Sequence, residues 1–278
     1  MPKTYLSIIR IAKYTLTDEV RQKSFIVMGV ICALAILLVR GCYSGNVMVN
    51  GQTLDGDTII RVVSKVIFHM IAAGSMLLAA LLTMRVFKRD RDEGMQSCIL
   101  SKPVTRMQYV LGKMIGLWAL ASSFMFILHG IVFVIASINL KVVMPEYLLA
   151  SLSCSLNLLF VVVAVLLFSL LMPDIIAFLF VTGIGMASFV AEGIFALSRS
   201  PMGQAMMQQP GAQPDWTWGK AAYYLWPKLS GIQQFASSII GGEGFQGFLS
   251  VYPFINILIY VLILGALLFH RFRNEDII

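Results

Sequence analysis

Long apolar runs alternate along the chain with short charged or turn-rich ones. Six of them hold the roughly 20 apolar residues a helix needs to cross a hydrocarbon layer, or nearly so: 24–39, 66–84, 114–138, 148–172, 175–195 and 251–269. The first is short, but Lys23 and Arg40 at its ends can snorkel outward, and local thinning of the layer completes the crossing. It also begins too late and runs too long for a cleaved leader peptide. Ahead of it, Tyr5, Ile8, Ile9, Ala12, Leu16 and Val20 recur at helical spacing, with Lys3, Arg10, Lys13 and Arg21 interspersed. That pattern predicts an amphipathic helix over 3–21 lying in the interface plane, or else a helical extension of the first span.

The interruptions differ in kind. Only Met172-Pro173-Asp174 separates the fourth and fifth runs, so proline should end one helix and Asp174 should cap the next. Residues 196–250 separate the fifth and sixth, far more than the usual ~4–6 of a connection. Their first part, Ser200 to Asp215, is turn-rich. Then come Trp216, Trp218, Tyr223, Tyr224 and Trp226, a set suited to a headgroup belt. Leu229, Ile232, Ala236, Ile239 and Ile240 follow at helical spacing and end in Gly241-Gly242. An interfacial or re-entrant helix is predicted there. The fold class expected is an all-α integral membrane protein, a single six-helix transmembrane domain over residues 1–278.

Composition supports lipid as the solvent. The 278 residues are 58% hydrophobic and 13% charged, against about 25% charged in soluble domains. A formal charge of +7 would suggest nucleic acid in a soluble protein. Here the bases instead set orientation, so no nucleic-acid partner is expected. With both termini inside, the inner segments hold 14 Lys and Arg and the outer ones 7. Both termini and residues 87–113 are therefore expected on the cytoplasmic side of the cell membrane, with 196–250 outside.

Catalytic chemistry finds little support. The four cysteines form no CxxC pair, and neither HExxH nor a His/Cys cluster marks a metal site. No nucleophile stands near a base in any short motif. His69 and His129 lie within spans, where such residues glue helices more often than they bind ligands. Leu229-Ser230-Gly231-Ile232-Gln233-Gln234 resembles the signature of ABC ATPases, but isoleucine replaces the second glycine. There is also no GxxxxGK[ST] loop: Gly112-Lys113 has Met107 where the first glycine belongs. Glu192 is the carboxylate well inside a span, three residues from its end, and either faces a translocation pathway or reaches the surface. Asn157, Asn256 and His129 carry the same ambiguity. Gly183-Ile184-Gly185-Met186-Ala187 offers a small-residue packing face.

One stretch stands out against this background, KRDRDEGMQSCILSKPVTR, from Lys88 to Arg106. A topology signal needs only the bases, yet Asp90, Asp92 and Glu93 are interleaved with them. Glu93-Gly94 followed by Met95, Cys98 and Ile99 predicts a short amphipathic helix that Pro103 ends, with Arg106 opening the third span. The run Arg91-Asp92-Glu93-Gly94, then Leu100, Pro103-Val104-Thr105-Arg106, Tyr109, Gly112 and Lys113 resembles the type 2 ABC exporter permeases. Their first cytoplasmic loop carries an acid-Gly-Thr turn, Pro-x-(Ser/Thr)-Arg and a Gly-Lys pair. Met95 stands where threonine is usual, which removes one capping hydrogen bond.

The resemblance implies a permease subunit of an ATP-driven exporter that pairs with an identical or similar subunit. Two copies of a separate ABC ATPase subunit would dock beneath the pair and bind the ATP and Mg, leaving this chain without a cofactor. Arg91, Asp92, Glu93, Gly94 and Met95 would meet the ATPase, and Pro103 with Arg106 would fix the exit of the lever. The alternatives are an ion-coupled secondary transporter working through Glu192 or Asp174, and a membrane partner that only transmits force. The first of these calls for inverted repeats, which the chain does not display.

Overall fold

In the computed structural model the described residues are 2–21, 48–49, 52–53, 56–101, 103–140, 145–199, 223–241 and 248–274, together with 25, 26, 29, 30, 32 and 34. They form α1 (Pro2–Arg21), a two-stranded antiparallel ladder of β1 (Met48–Val49) and β2 (Gln52–Thr53), and then α2 (Gly56–Thr83). There follow α3 (Val86–Asp92), α4 (Met95–Leu100), α5 (Arg106–Leu140), α6 (Glu146–Leu171) and α7 (Asp174–Arg199). The last two are α8 (Leu229–Gly241) and α9 (Phe248–Arg273). Apart from the short ladder, the described chain is helical. Among the described residues, five stretches are long and apolar enough to cross a membrane, in α2, α5, α6, α7 and α9. Most of the first apolar run, with Trp216, Trp218 and the turn-rich stretch before them, lies outside the described residues.

The central helix is α6. Its Leu-Phe-Val-Val-Val-Ala-Val-Leu-Leu run has no polar face, and Phe160 to Leu167 are all buried. A helix apolar all round belongs in the middle of a bundle, and α2, α5, α7, α8 and α9 pack around this one.

The predicted N-terminal helix forms, and its docking depends on two glycines of α5. A Cβ on Gly112 would stand 2.7 Å from Ile11 Cβ, and one on Gly116 would stand 2.8 Å from the Ala12 carbonyl oxygen. Small residues four apart let the two backbones approach this closely. The face buried against α5 carries Ile11, Thr15 and Glu19, one residue round from the apolar stripe read in the sequence, whereas Ile9 and Val20 are exposed. The face of α7 expected to pack closely behaves in the opposite way. Nothing comes within 4 Å of a Cβ at Gly183, and Met186 and Ala187 are exposed.

Proline does end α6, with Met172 extended beyond it. Asp174, however, is the first helical residue of α7, and the Pro173 carbonyl accepts the Ile176 and Ala177 N–H groups. Asp174 therefore stabilises that helix start through its charge near the positive end of the dipole, without occupying the cap position.

The chain before α8 folds back into the bundle. Tyr223 meets Glu192 of α7, Trp226 Nε1 donates to the Ile184 carbonyl, and the Leu229 carbonyl receives Asn157 Nδ2 from the middle of α6. Between Glu192 and Ile184 this is a descent of about 12 Å along α7. The helix α8 then leads away with Leu229, Ile232, Ala236 and Ile240 buried. Irregular backbone inside a bundle must find partners for its polar groups. Tyr252 and Tyr260 hydroxyls donate to the Tyr224 and Leu225 carbonyls, Ser188 Oγ donates to the Pro227 carbonyl at 2.9 Å, and Asn256 Oδ1 accepts the Lys228 N–H at 3.0 Å. Gly231 of the ATPase-like stretch is a packing residue, since a Cβ there would lie 2.9 Å from Pro253 Cγ.

Candidate functional site

Charge gathers at the end of the bundle where α2 passes into α3. Gly94 joins α3 to α4 with φ of 67°, the left-handed region that glycine adopts freely. A Cβ there would meet nothing within 4 Å, so backbone conformation and not space demands the glycine. Around it Arg91, Asp92, Glu93, Ser97 and Cys98 are exposed, Met95 is half-buried and Gln96 is buried. The cap position of α4 is Gly94 itself, which has no side chain to offer. Pro103 is exposed, and Thr105 caps α5 reciprocally: its Oγ1 accepts the Gln108 N–H at 3.2 Å while Gln108 Oε1 accepts the Thr105 N–H at 3.0 Å. Arg106 donates to the Arg273 carbonyl at 3.0 Å, tying the start of α5 to the end of α9.

The two residues before this exposed turn point the other way, into the protein. Asp90 Oδ2 lies 2.6 Å from Lys113 Nζ and accepts the Tyr109 hydroxyl at 2.5 Å. Lys113 is 0% exposed and Asp90 2%. Arg89 Nη2 reaches Asp18 Oδ2 at 2.8 Å and Glu19 Oε1 at 2.5 Å on α1. Burial raises the Glu19 carboxyl above its usual range, against the opposing pull of Arg89. Consecutive residues of α3 thus hold α5 and α1 respectively. Sequence reasoning singled out the exposed side of this run and missed the anchoring side. The available signal was the i, i+4 spacing of Tyr109 and Lys113, which puts both on one face of α5.

At the far end of the bundle, Glu192 Oε2 accepts the Tyr223 hydroxyl at 2.7 Å and lies 3.9 Å from Lys228 Nζ, which rests on the Tyr223 ring. Glu192 lines a cavity of about 500 Å³ with His69, Ala73, Phe189, Ser230 and Gln233. His69 Nδ1 is 3.3 Å from Gln233 Oε1. Of the four pathway candidates from the sequence, Glu192 alone lines this cavity. His129 is buried between helices, stacked on Phe68 at 4.4 Å with Nδ1 2.7 Å from Ser151 Oγ. Asn157 supports the folded-back chain through the Leu229 carbonyl at 2.8 Å. No group of three or more His, Cys, Asp or Glu side chains suited to a metal occurs among the described residues.

Comparison with curated proteins gives no match. The sequence pattern of the family described as ABC-2 family transporter protein matches residues 9–277, from α1 through the charged turn at Gly94 to the end of the chain. With at least five helices able to cross a membrane and a match over nearly its whole length, the chain belongs to the ABC-2 family, as the multi-pass membrane permease component of an ABC transporter.

Proposed function

We propose that this chain is the permease subunit of an ATP-driven exporter in the cell membrane, and that the turn at Gly94 is where a separate ATPase subunit grips it. The observation that supports this reading is the two-sided character of α3. Arg91, Asp92 and Glu93 face solvent, while Arg89 and Asp90 are ion-paired to α1 and α5 within the bundle. A push on the exposed side reaches two long helices through short, charge-assisted contacts. On this reading both termini and α3–α4 are cytoplasmic and α1 lies in the inner interface. The short stretch before α8 enters the bilayer from outside. Two such chains, identical or similar, pair above two ATPase copies that bind the ATP and Mg. Closure of the ATPases then rocks the spans between inward and outward states.

The test is co-purification of the ATPase subunit with Glu93→Ala and Gly94→Val, alongside coupled ATPase assays. Loss of a buried charge-assisted contact costs about 2–5 kcal/mol of binding, so docking or coupling should fall in both variants while membrane insertion is retained. Wild-type docking and activity in both would overturn the proposal. Orientation is tested separately. In a background where Cys32, Cys42 and Cys154 are serine, exposed Cys98 should label from the side opposite to a cysteine introduced by Gln208→Cys after Cys98 is removed. Labelling from the same side would contradict the orientation. Gln96, an obvious choice for such labelling by sequence, is buried and unsuitable.

A further inference from the structure

Two cavities meet end to end along the seam between α2 and α7. The one at Glu192 holds about 500 Å³, and a second of about 250 Å³ is lined by Met76, Leu77, Ala80, Val181, Gly185 and Met186. Both include Ala73 and Phe189, so they form one continuous groove. From Val181 to Glu192 it runs about 16 Å at the helical rise. That is half the ~30 Å hydrocarbon thickness of a bilayer, or one leaflet.

The groove is chemically polarised along its length. Glu192, His69, Gln233, Gln234 and Ser230 lie at one end. The other end is apolar except for Thr182, whose hydroxyl is already spent on the Phe178 carbonyl at 2.8 Å. Met70, Leu77 and Met186 on the rim are exposed, so the seam is open toward the side of the bundle among the described residues. Two described residues of the first apolar run lie elsewhere: Phe25 packs on Phe124 of α5 with ring centroids 5.7 Å apart, and Gly29 is next to the same ring.

Charge selects the head that fits. Glu192 supplies the anionic group of the lining, and among the described residues no Lys or Arg lines either cavity. Its two contacts among the described residues, Tyr223 and Lys228, both fall on Oε2, so Oε1 retains capacity to accept a further donor. Lys228 already shows how an ammonium is held here, between a carboxylate and the face of a tyrosine. We infer that the groove binds one single-chain amphiphile with a cationic head, its amine on Glu192 and its chain laid along the α2–α7 seam. Binding stands without any ATPase. That the amphiphile is also the transported substrate rests on the permease reading above.

The test uses the purified full chain in lipid nanodiscs with no ATPase present, at neutral pH. The native cysteines are removed, and Ala73→Cys reports the junction of the two cavities while Ile127→Cys reports a lipid-facing position on α5. The probes are dodecylamine, dodecyl sulfate and butylamine, each scored by protection from a lipid-soluble maleimide. Dodecylamine should protect Ala73→Cys saturably, dodecyl sulfate should need at least about tenfold more, and butylamine should not protect. Ile127→Cys should be unaffected. Glu192→Gln should raise the half-protecting dodecylamine concentration about tenfold, the worth of one hydrogen bond to a charged group. Gly185→Leu should block the apolar arm, where a Cβ meets no atom nearer than 3.9 Å. Equal protection by both head groups, or at both positions, would mean bulk partitioning and overturn the inference. So would spontaneous disulfide formation between two Ala73→Cys chains without amphiphile, because a second copy would then occupy the seam.

Discussion

An acid, a lysine and a tyrosine occur together at each end of the bundle. At the α3 end, Asp90, Lys113 and Tyr109 meet within 2.6 Å. At the far end, Glu192 and Lys228 stand 3.9 Å apart with Tyr223 between them, beside a cavity. The same three functional groups do different work because distance and access differ. The first set is buried, and its short contacts hold α3 against α5. The second is looser, at 3.9 Å, and opens onto a cavity with space for a ligand.

The strongest way to break this comparison is to delete one acid at a time. Asp90→Ala strands a fully buried ammonium and should cost about 3–5 kcal/mol, read by thermal unfolding of the purified chain. Asp90→Leu combined with Lys113→Met should recover most of that, since no uncompensated charge remains. Glu192→Ala should cost much less, and equal losses at the two ends would end the contrast. Next come the glycines. Gly116→Ala drives a methyl to 2.8 Å from the Ala12 carbonyl and should cost about 1–3 kcal/mol by overpacking, while Gly183→Ala on α7 meets open space and should be silent or mildly stabilising.

Gly94→Val forces a branched side chain into the left-handed region, for about 1–2 kcal/mol of local strain. Gly94→Asn should be tolerated, because asparagine visits that region more readily. ATPase coupling measured across the pair separates backbone geometry from loss of glycine as such.

Much of this molecule could be read from one dimension. Helices that cross lipid must satisfy their own backbone and present apolar side chains, so α2, α5, α6, α7 and α9 are written as uninterrupted apolar runs. The turn at Glu93-Gly94 was equally legible, because a glycine between a charged helical stretch and a short amphipathic one signals a conformation other residues resist. The buried halves of the charge pairs were not. Arg89 and Asp90 look no different from Arg91 and Asp92 in sequence, yet the first two are anchors and the second two face solvent. Gly183 and Gly116 look alike too, and only Gly116 meets a neighbouring backbone.

By itself the sequence determined what each segment must do with its own backbone: which stretches are helical, which can cross a membrane, where the chain turns and that charge collects between the second and third spans. Those properties are local, set by propensity, periodicity and the cost of an unpaired peptide group in lipid. Only the tertiary structure decided which face of α1 meets α5 and which acid pairs with which lysine. It also decided that Asn157 and Asn256 serve the folded-back chain, and that Glu192 borders a groove. Those outcomes depend on distances between residues far apart in the chain, and the strength of a charge–charge or polar contact changes several-fold over an ångström or two and with the exclusion of water. Pattern along the chain carries no such distances, which is why two similar triads could become a lock at one end and an open site at the other.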